Sequence, residues 1–252
     1  MDWYIYPLVV LAGMVAGVIN TLAGSGSAIT LGVLIFLGLP ADMANGTNRV
    51  GVVALGLGSM SALKRSQMTA LLKKGQYILW TTLAGALTGA FVVVEIDEAA
   101  LEKVIGGLMI VLLFVVLFNP KRWLQDSAQA LTHPTLLHIL LFFAVGFYGG
   151  FIQMGFGIFF LAVAVLLARF SLIDSNIIKI VVTFIFAIPV LGIFVWHGDV
   201  QWDLGLTLAA GQAVGGWLAA RYALGHPQAN IWIRRLLIVM ILVVITKIFF
   251  FS

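Results

Sequence analysis

The sequence predicts an all-α polytopic membrane protein made of two inverted-topology repeats. Each repeat is a broken, re-entrant helical hairpin followed by three transmembrane helices. Three observations carry this reading: a composition too apolar for a water-soluble globule, two apolar runs too long for one span and interrupted by glycines, and a reversal of loop charge between the halves. Of the 252 residues, 62% are hydrophobic and 10% charged. A soluble domain carries about a quarter charged residues, so too little polar surface exists here to cover a globule in water.

A spanning helix needs roughly 20 predominantly apolar residues. Runs of that kind lie near 43–63, 76–94, 100–118, 177–196, 201–220 and 232–251. The runs 5–38 and 136–170 exceed one span, and each is cut by a glycine-rich stretch: NTLAGSGS at Asn20 to Ser27, and GFG at Gly155 to Gly157. Polar stretches at 64–74, 95–98, 119–134, 197–199 and 225–228 read as loops. Trp3, Trp123, Trp196, Trp202 and Trp232 fall at helix ends, where interfacial aromatic belts form. The order of a broken run and three plain spans occurs twice. Residues 1–118 form the first repeat, 119–135 a cytoplasmic linker and 136–252 the second repeat.

Loop charge orients the halves. Lys64, Arg65, Lys73 and Lys74 crowd the loop after the second run, whereas its counterpart holds His197, Asp199 and Asp203. The next loop holds Glu95, Asp97, Glu98 and Glu102 with Lys103, and its counterpart Arg221, Arg234 and Arg235. By the positive-inside rule, equivalent loops lie on opposite sides. Each half then crosses an odd number of times, and the simplest solution turns each broken run into a hairpin that enters and leaves on one side. The 64–74 loop faces the cytoplasm and both termini the periplasm. Inverted repeats with discontinuous helices are an architecture of secondary transporters.

Irregular backbone at membrane depth is tolerated only when buried in protein or lining a cavity, so the two breaks are expected to meet near the midplane. New helices should start near Ser27 and Gly157, offering N–H groups and a partial positive charge that suit an anion. The substrate-binding candidates are therefore Asn20, Thr21, Gly24, Ser25, Gly26 and Ser27 at the first break and Gln153, Gly155 and Gly157 at the second. Asn48, Arg49 and Lys179, at the starts of equivalent spans, are candidate rims of an anion pathway. Plainer readings stand beside these. Ser25 and Ser27 can cap a helix, Arg49 can snorkel, Lys179 can anchor the cytoplasmic face, and Asn20 and Gln153 can satisfy broken backbone. The four histidines, His138 among them at a helix start, read as solvated or interfacial.

Other chemistry is disfavoured. The chain has no cysteine, which excludes disulfides and thiolate metal sites, and neither a metal nor a cofactor is expected. A serine nucleophile in the GSGS stretch would need a base within reach, and the histidines fall at segment ends. A dinucleotide fingerprint fails for want of a preceding strand and a third glycine. The basic residues are dispersed, so the net charge of +4 speaks of topology and not of nucleic acid. The expected partners are a small anionic substrate, the lipid bilayer and, as a possibility, a second copy in a homodimer.

At these residues the chain resembles the sulfite exporter TauE/SafE (TSUP) family. The carriers are AGVINTLAGSG at 16–26, LGLPA at 37–41, ANGTN at 44–48, GFYGGFIQMGFG at 146–157, GQAVGGWLAAR at 211–221 and IRRLL at 233–237. Their order and spacing together give the resemblance its specificity. It implies transport of small sulfur-containing anions, such as sulfite, sulfoacetate or related organosulfonates, across the bacterial inner membrane. An anion channel with the same donors, or a transporter of a non-sulfur organic anion, is the alternative. Two departures bear on substrate size and polarity: serines stand among the glycines of the first break, and Gln153, Met154 and Phe156 occupy the second, where small residues are common.

Overall fold

The computed structural model describes residues 3–101, 103–105, 107 and 134–223. All regular structure in these residues is helical. The helices are α1 (Ile5–Leu22), α2 (Ser27–Phe36), α3 (Ala41–Ser61), α4 (Arg65–Lys74), α5 (Gln76–Val93), α6 (Leu136–Phe151), α7 (Phe156–Ala162), α8 (Leu172–His197) and α9 (Trp202–Leu218). A π-helical turn follows α7 at Val163–Leu167 and another follows α9 at Ala219–Ala223. The expected span 232–251, the linker up to residue 133 and most of 100–118 lie outside the described residues.

Helices α1, α5 and α8 are long and apolar enough to cross a membrane. Helix α3 matches them in length but carries Asn45, Thr47, Asn48 and Arg49, all buried. A helix can hold such groups at membrane depth only when they face protein or a cavity. That is what happens here: Asn45 and Arg49 bond the end of α6 at the second break, Asn48 meets Thr30 of α2, and Thr47 accepts from the Gln201 N–H.

Small residues set the register of the bundle. Cβ atoms added to Gly13 and Gly17 of α1 would strike the carbonyls of Leu208 and Gln212, one turn apart on α9. The two helices thus run parallel, backbone against backbone, in the small-xxx-small manner. Helices α5 and α6 do the same, with Gly85 against Phe143 and Gly89 against Phe147. Helix α3 also runs with α9, since Val50 meets Gly205 and Leu55 meets Gly216. Helix α8 runs against α3: Gly46 and Arg49 lie beside Phe194, and Gly56 beside Phe184.

These directions force both broken runs to double back. Thr21 near the end of α1 bonds Ser59 near the end of α3, so the chain between them must return to the level where α3 begins, and α2 makes that return. In the second half, His138 at the start of α6 reaches the Leu167 carbonyl at 3.3 Å, so the chain after the break has come back beside the entry of α6. Helix α6 runs with α5, which starts beside Ile178 early in α8; it therefore points opposite to α1 and α3 and ends on Arg49 in the first half of α3.

Two expectations need correction. The polar stretch 64–74 is a helix, not a loop. Its Leu71 is buried, Met68 packs on the core, and Lys73 and Lys74 end it where cations suit the helix dipole. His138 is buried, not solvated. Its Nδ1 forms a capping box with Thr135 at the start of α6, and its Nε2 meets the Leu167 carbonyl, so both ring nitrogens have partners.

Candidate functional site

The two breaks touch. The Gly157 N–H donates to the Gly24 carbonyl at 2.9 Å, and a Cβ on either glycine would collide with the other's backbone. Gly24 and Gly155 both hold left-handed φ angles, +76° and +74°, which cost glycine little and other residues more. The glycine-rich signatures thus serve a turn in each hairpin and a crossing between hairpins.

Breaking α1 and α6 inside an apolar bundle leaves their last carbonyls without helical partners. Each set is met by a cation from the other half of the chain. Arg49 of α3 donates to the carbonyls of Gly149 (2.6 Å) and Gly150 (2.8 Å) at the end of α6, and to Gln153 Oε1 (3.0 Å) and Asn45 Oδ1 (3.2 Å). Its guanidinium also lies over the Phe194 ring at 5.3 Å. Lys179 of α8 donates to the carbonyls of Asn20 and Thr21, both at 3.0 Å, and to Asn176 Oδ1 at 2.8 Å. Arg49 is 0% exposed and Lys179 3%. Neither snorkels nor anchors at a membrane face, as the plainer readings had it; both satisfy broken backbone, the task those readings gave to Asn20 and Gln153.

Among the described residues no Asp or Glu is buried. The two cations therefore face carbonyls, amides and, for Arg49, the Phe194 ring, but no carboxylate. The partial negative charge of a helix C-terminus is about half a unit, so each capped end leaves positive charge in excess.

A cavity adjoins the crossing. It is lined by Asn20, Thr21, Ser59, Gln153, Gly157, Lys179 and Thr183 on its polar side, and by Val52, Leu55, Phe156 and Ile180 on its apolar side. Five of the twelve candidates from the sequence, Asn20, Thr21, Gln153, Gly157 and Lys179, fall on its wall. Arg49 stands behind Gln153, off the cavity. Gly24 makes the crossing, Gly26 packs against Ala16 and Asn20, and Gly155 supplies the second turn. Asn48 accepts from Thr30 Oγ1 at 2.5 Å, and its Nδ2 has no protein partner. Helix α2 has Gly26 at its N-cap with no side-chain cap bond, so neither serine caps it. Ser27 Oγ accepts from Asn20 Nδ2 at 3.4 Å, and the buried Ser25 Oγ is unpartnered.

Sequence reasoning missed Asn45, Asn176, Ser59 and Thr183. For the asparagines a signal existed, since each lies one turn before its cation on the same helix, where residues three or four apart are neighbours. Ser59 had none, because it meets Thr21 across 38 residues.

A helical bundle with paired backbone breaks around a polar, cation-bearing cavity is the build of a membrane transporter. The chain belongs to the family described as sulfite exporter TauE/SafE, whose model matches residues 9–248, and it is a membrane transporter of that family. It is 27% identical over 225 residues to "Probable membrane transporter protein ORF9" of a Sinorhizobium species, covering 89% of this chain and 85% of that one. A "Probable membrane transporter protein" of Haemophilus influenzae is 29% identical over 209 residues, 83% of this chain and 81% of its own. "Probable membrane transporter protein YfcA" of Escherichia coli K12 is 25% identical over 215 residues, 85% and 79% respectively. No solved structure matches the chain.

Proposed function

We propose that this protein is a secondary transporter that moves a small sulfur-containing oxyanion, such as sulfite, sulfoacetate or a related organosulfonate, across the bacterial inner membrane by alternating access. The observation that carries the reading is the excess positive charge at the crossing: Arg49 and Lys179 are buried with no buried carboxylate among the described residues. A desolvated charge without a counter-ion is strongly unfavourable, and an anion in the cavity supplies one. Lys179 stands on the cavity wall beside the donors Asn20, Thr21, Ser59 and Gln153. The Gln153 Nε2 group is buried without a protein partner, which suits an oxyanion acceptor.

The opposed directions of α1 and α6, and of α3 and α8, support an inverted repeat with hairpins entering from opposite faces. In such an arrangement each half can rock against the other around the crossing. The family name supports a sulfur oxyanion.

The test is a thermal-shift screen of the purified protein against sulfite, sulfate, thiosulfate, sulfoacetate, taurine and plain carboxylates, followed by flux in proteoliposomes. A shift with sulfur oxyanions and trans-stimulated exchange at carrier rates is expected. Channel-like conductance without trans-stimulation would replace the carrier by an anion channel. A shift with carboxylates alone would move the substrate outside sulfur chemistry.

A further inference from the structure

The two buried cations differ in a way their shared capping role does not require. An arginine stays charged at every physiological pH, whereas a lysine can release its proton when desolvated. The arginine is the one placed behind the wall, and the lysine is the one placed on the cavity.

The shell around Lys179 fits both forms of an amine. An ammonium has three donors and no acceptor, and here the three meet two carbonyls and the Asn176 Oδ1 atom. A neutral amine keeps two N–H donors and gains one lone pair. Its two donors can stay on the Asn20 and Thr21 carbonyls, so α1 remains capped. Asn176 can turn its amide over and present Nδ2 to the lone pair, at the expense of its present 3.2 Å bond to the Leu172 carbonyl. Asparagine is the side chain that offers a donor and an acceptor of near-equal shape. No such exchange is open to Arg49, whose shell includes the carbonyls of Gly149 and Gly150.

The neighbouring charges leave this equilibrium to the anion. Of the elements packed on α8, α1 brings only carbonyls to Lys179. Helix α3 carries Arg49, nearly three turns from Ser59 at the level of the α1 end, and Asp42 in its first turn. Helix α4 holds the exposed Arg65, Lys73 and Lys74, α5 holds Tyr77, and α6 holds His138 and Tyr148. Asp174 and His197 lie on α8 itself, and none of these groups bonds Lys179. No buried carboxylate is present among the described residues to hold the proton in its place.

We infer that Lys179 is the proton site of a proton-coupled anion cycle: the amine takes a proton from water in the cavity when the anion binds and returns it when the anion leaves. One proton and one anion enter and leave together, the proton residing on the Nζ lone pair, so the emptied site resets with one fewer charge at membrane depth. This rests on the anion-transport reading above.

The test uses sulfate, thiosulfate, sulfoacetate and methanesulfonate, which carry no exchanging proton near neutrality. Binding to the purified full-length protein is followed by calorimetry in buffers of different ionisation enthalpy between pH 6 and 9, which counts protons taken up. Wild type is expected to take up as much as one proton per anion as pH rises, with affinity falling about tenfold per pH unit above the transition. Lys179→Arg weakens binding and makes what remains independent of pH. Asn176→Asp, which sets a carboxylate beside the amine and holds it charged, also abolishes uptake; either variant suffices if the other fails to fold. Binding with no proton uptake at any pH, or uptake unchanged in the folded variants, overturns the proton site and leaves the anion reading standing. No binding by any of the anions, sulfite included, overturns both.

Discussion

At the scale of single residues, Arg49 and Lys179 do related work with different consequences. Arg49 bonds three main-chain carbonyls and two side-chain amides from full burial. Arg49→Lys keeps the charge but loses the planar fork, and breaking a buried charged network of this kind costs on the order of 3 kcal/mol. A fall in melting temperature is expected, larger than any change in anion affinity of the surviving folded protein. Gln153→Ala should weaken anion affinity by about tenfold, since it removes a wall donor, and should also lower the melting temperature, since its Oε1 accepts from Arg49. Asp199 lies outside the spans and is only partly buried. Burial and the nearby Asp42 raise its carboxyl above the usual carboxylate range, while His197 opposes the rise. An acid raised in the fold is destabilising where it is ionised. Asp199→Asn should therefore raise the melting temperature slightly at neutral pH, and the gain should vanish in acid, as a pH series of melting curves would record.

At the scale of elements, each break is a helix end, a glycine turn and a helix start, and the two breaks share one crossing. Gly24→Ala meets both a left-handed φ and the backbone of Gly157. The backbone cannot give way like a flexible side chain, so a loss of more than about 2 kcal/mol is expected, visible as poor yield and a lowered melting point. The hairpins were legible in the sequence because glycines and polar side chains inside apolar runs are a local signal. The caps were not. Arg49 meets Gly149 across 100 residues and Lys179 meets Thr21 across 158, and nothing near either cation names the carbonyls it caps. Helix α4 escaped for the opposite reason: with basic residues at both ends and one buried leucine, its pattern over ten residues is too short to separate from a loop.

At the scale of the whole molecule, the pairings are reciprocal. Helix α1 of the first half packs along α9 of the second, and α6 of the second along α5 of the first. Single cysteines at Ser66 and His197, both exposed, test the predicted orientation: an impermeant thiol reagent should reach them from opposite faces in intact cells and inverted vesicles. Labelling from one face would remove the inverted arrangement. The charge pattern alone carries this expectation, because loop charge is set by the membrane and needs no knowledge of packing. Which helices touch needed the structure, since glycine pairs such as Gly85 and Gly89 look alike wherever their partner lies.

The exchange of caps also dictates an order of events during synthesis. When α1 leaves the ribosome, the residue that will hold its end is still 159 positions away. The first hairpin must wait in the bilayer with its helix end lacking the lysine cap, while the second finds Arg49 already made. A nascent chain stopped before Lys179 should be a ready target for membrane proteases. The two halves expressed as separate polypeptides should each be short-lived alone and rescue one another when made together.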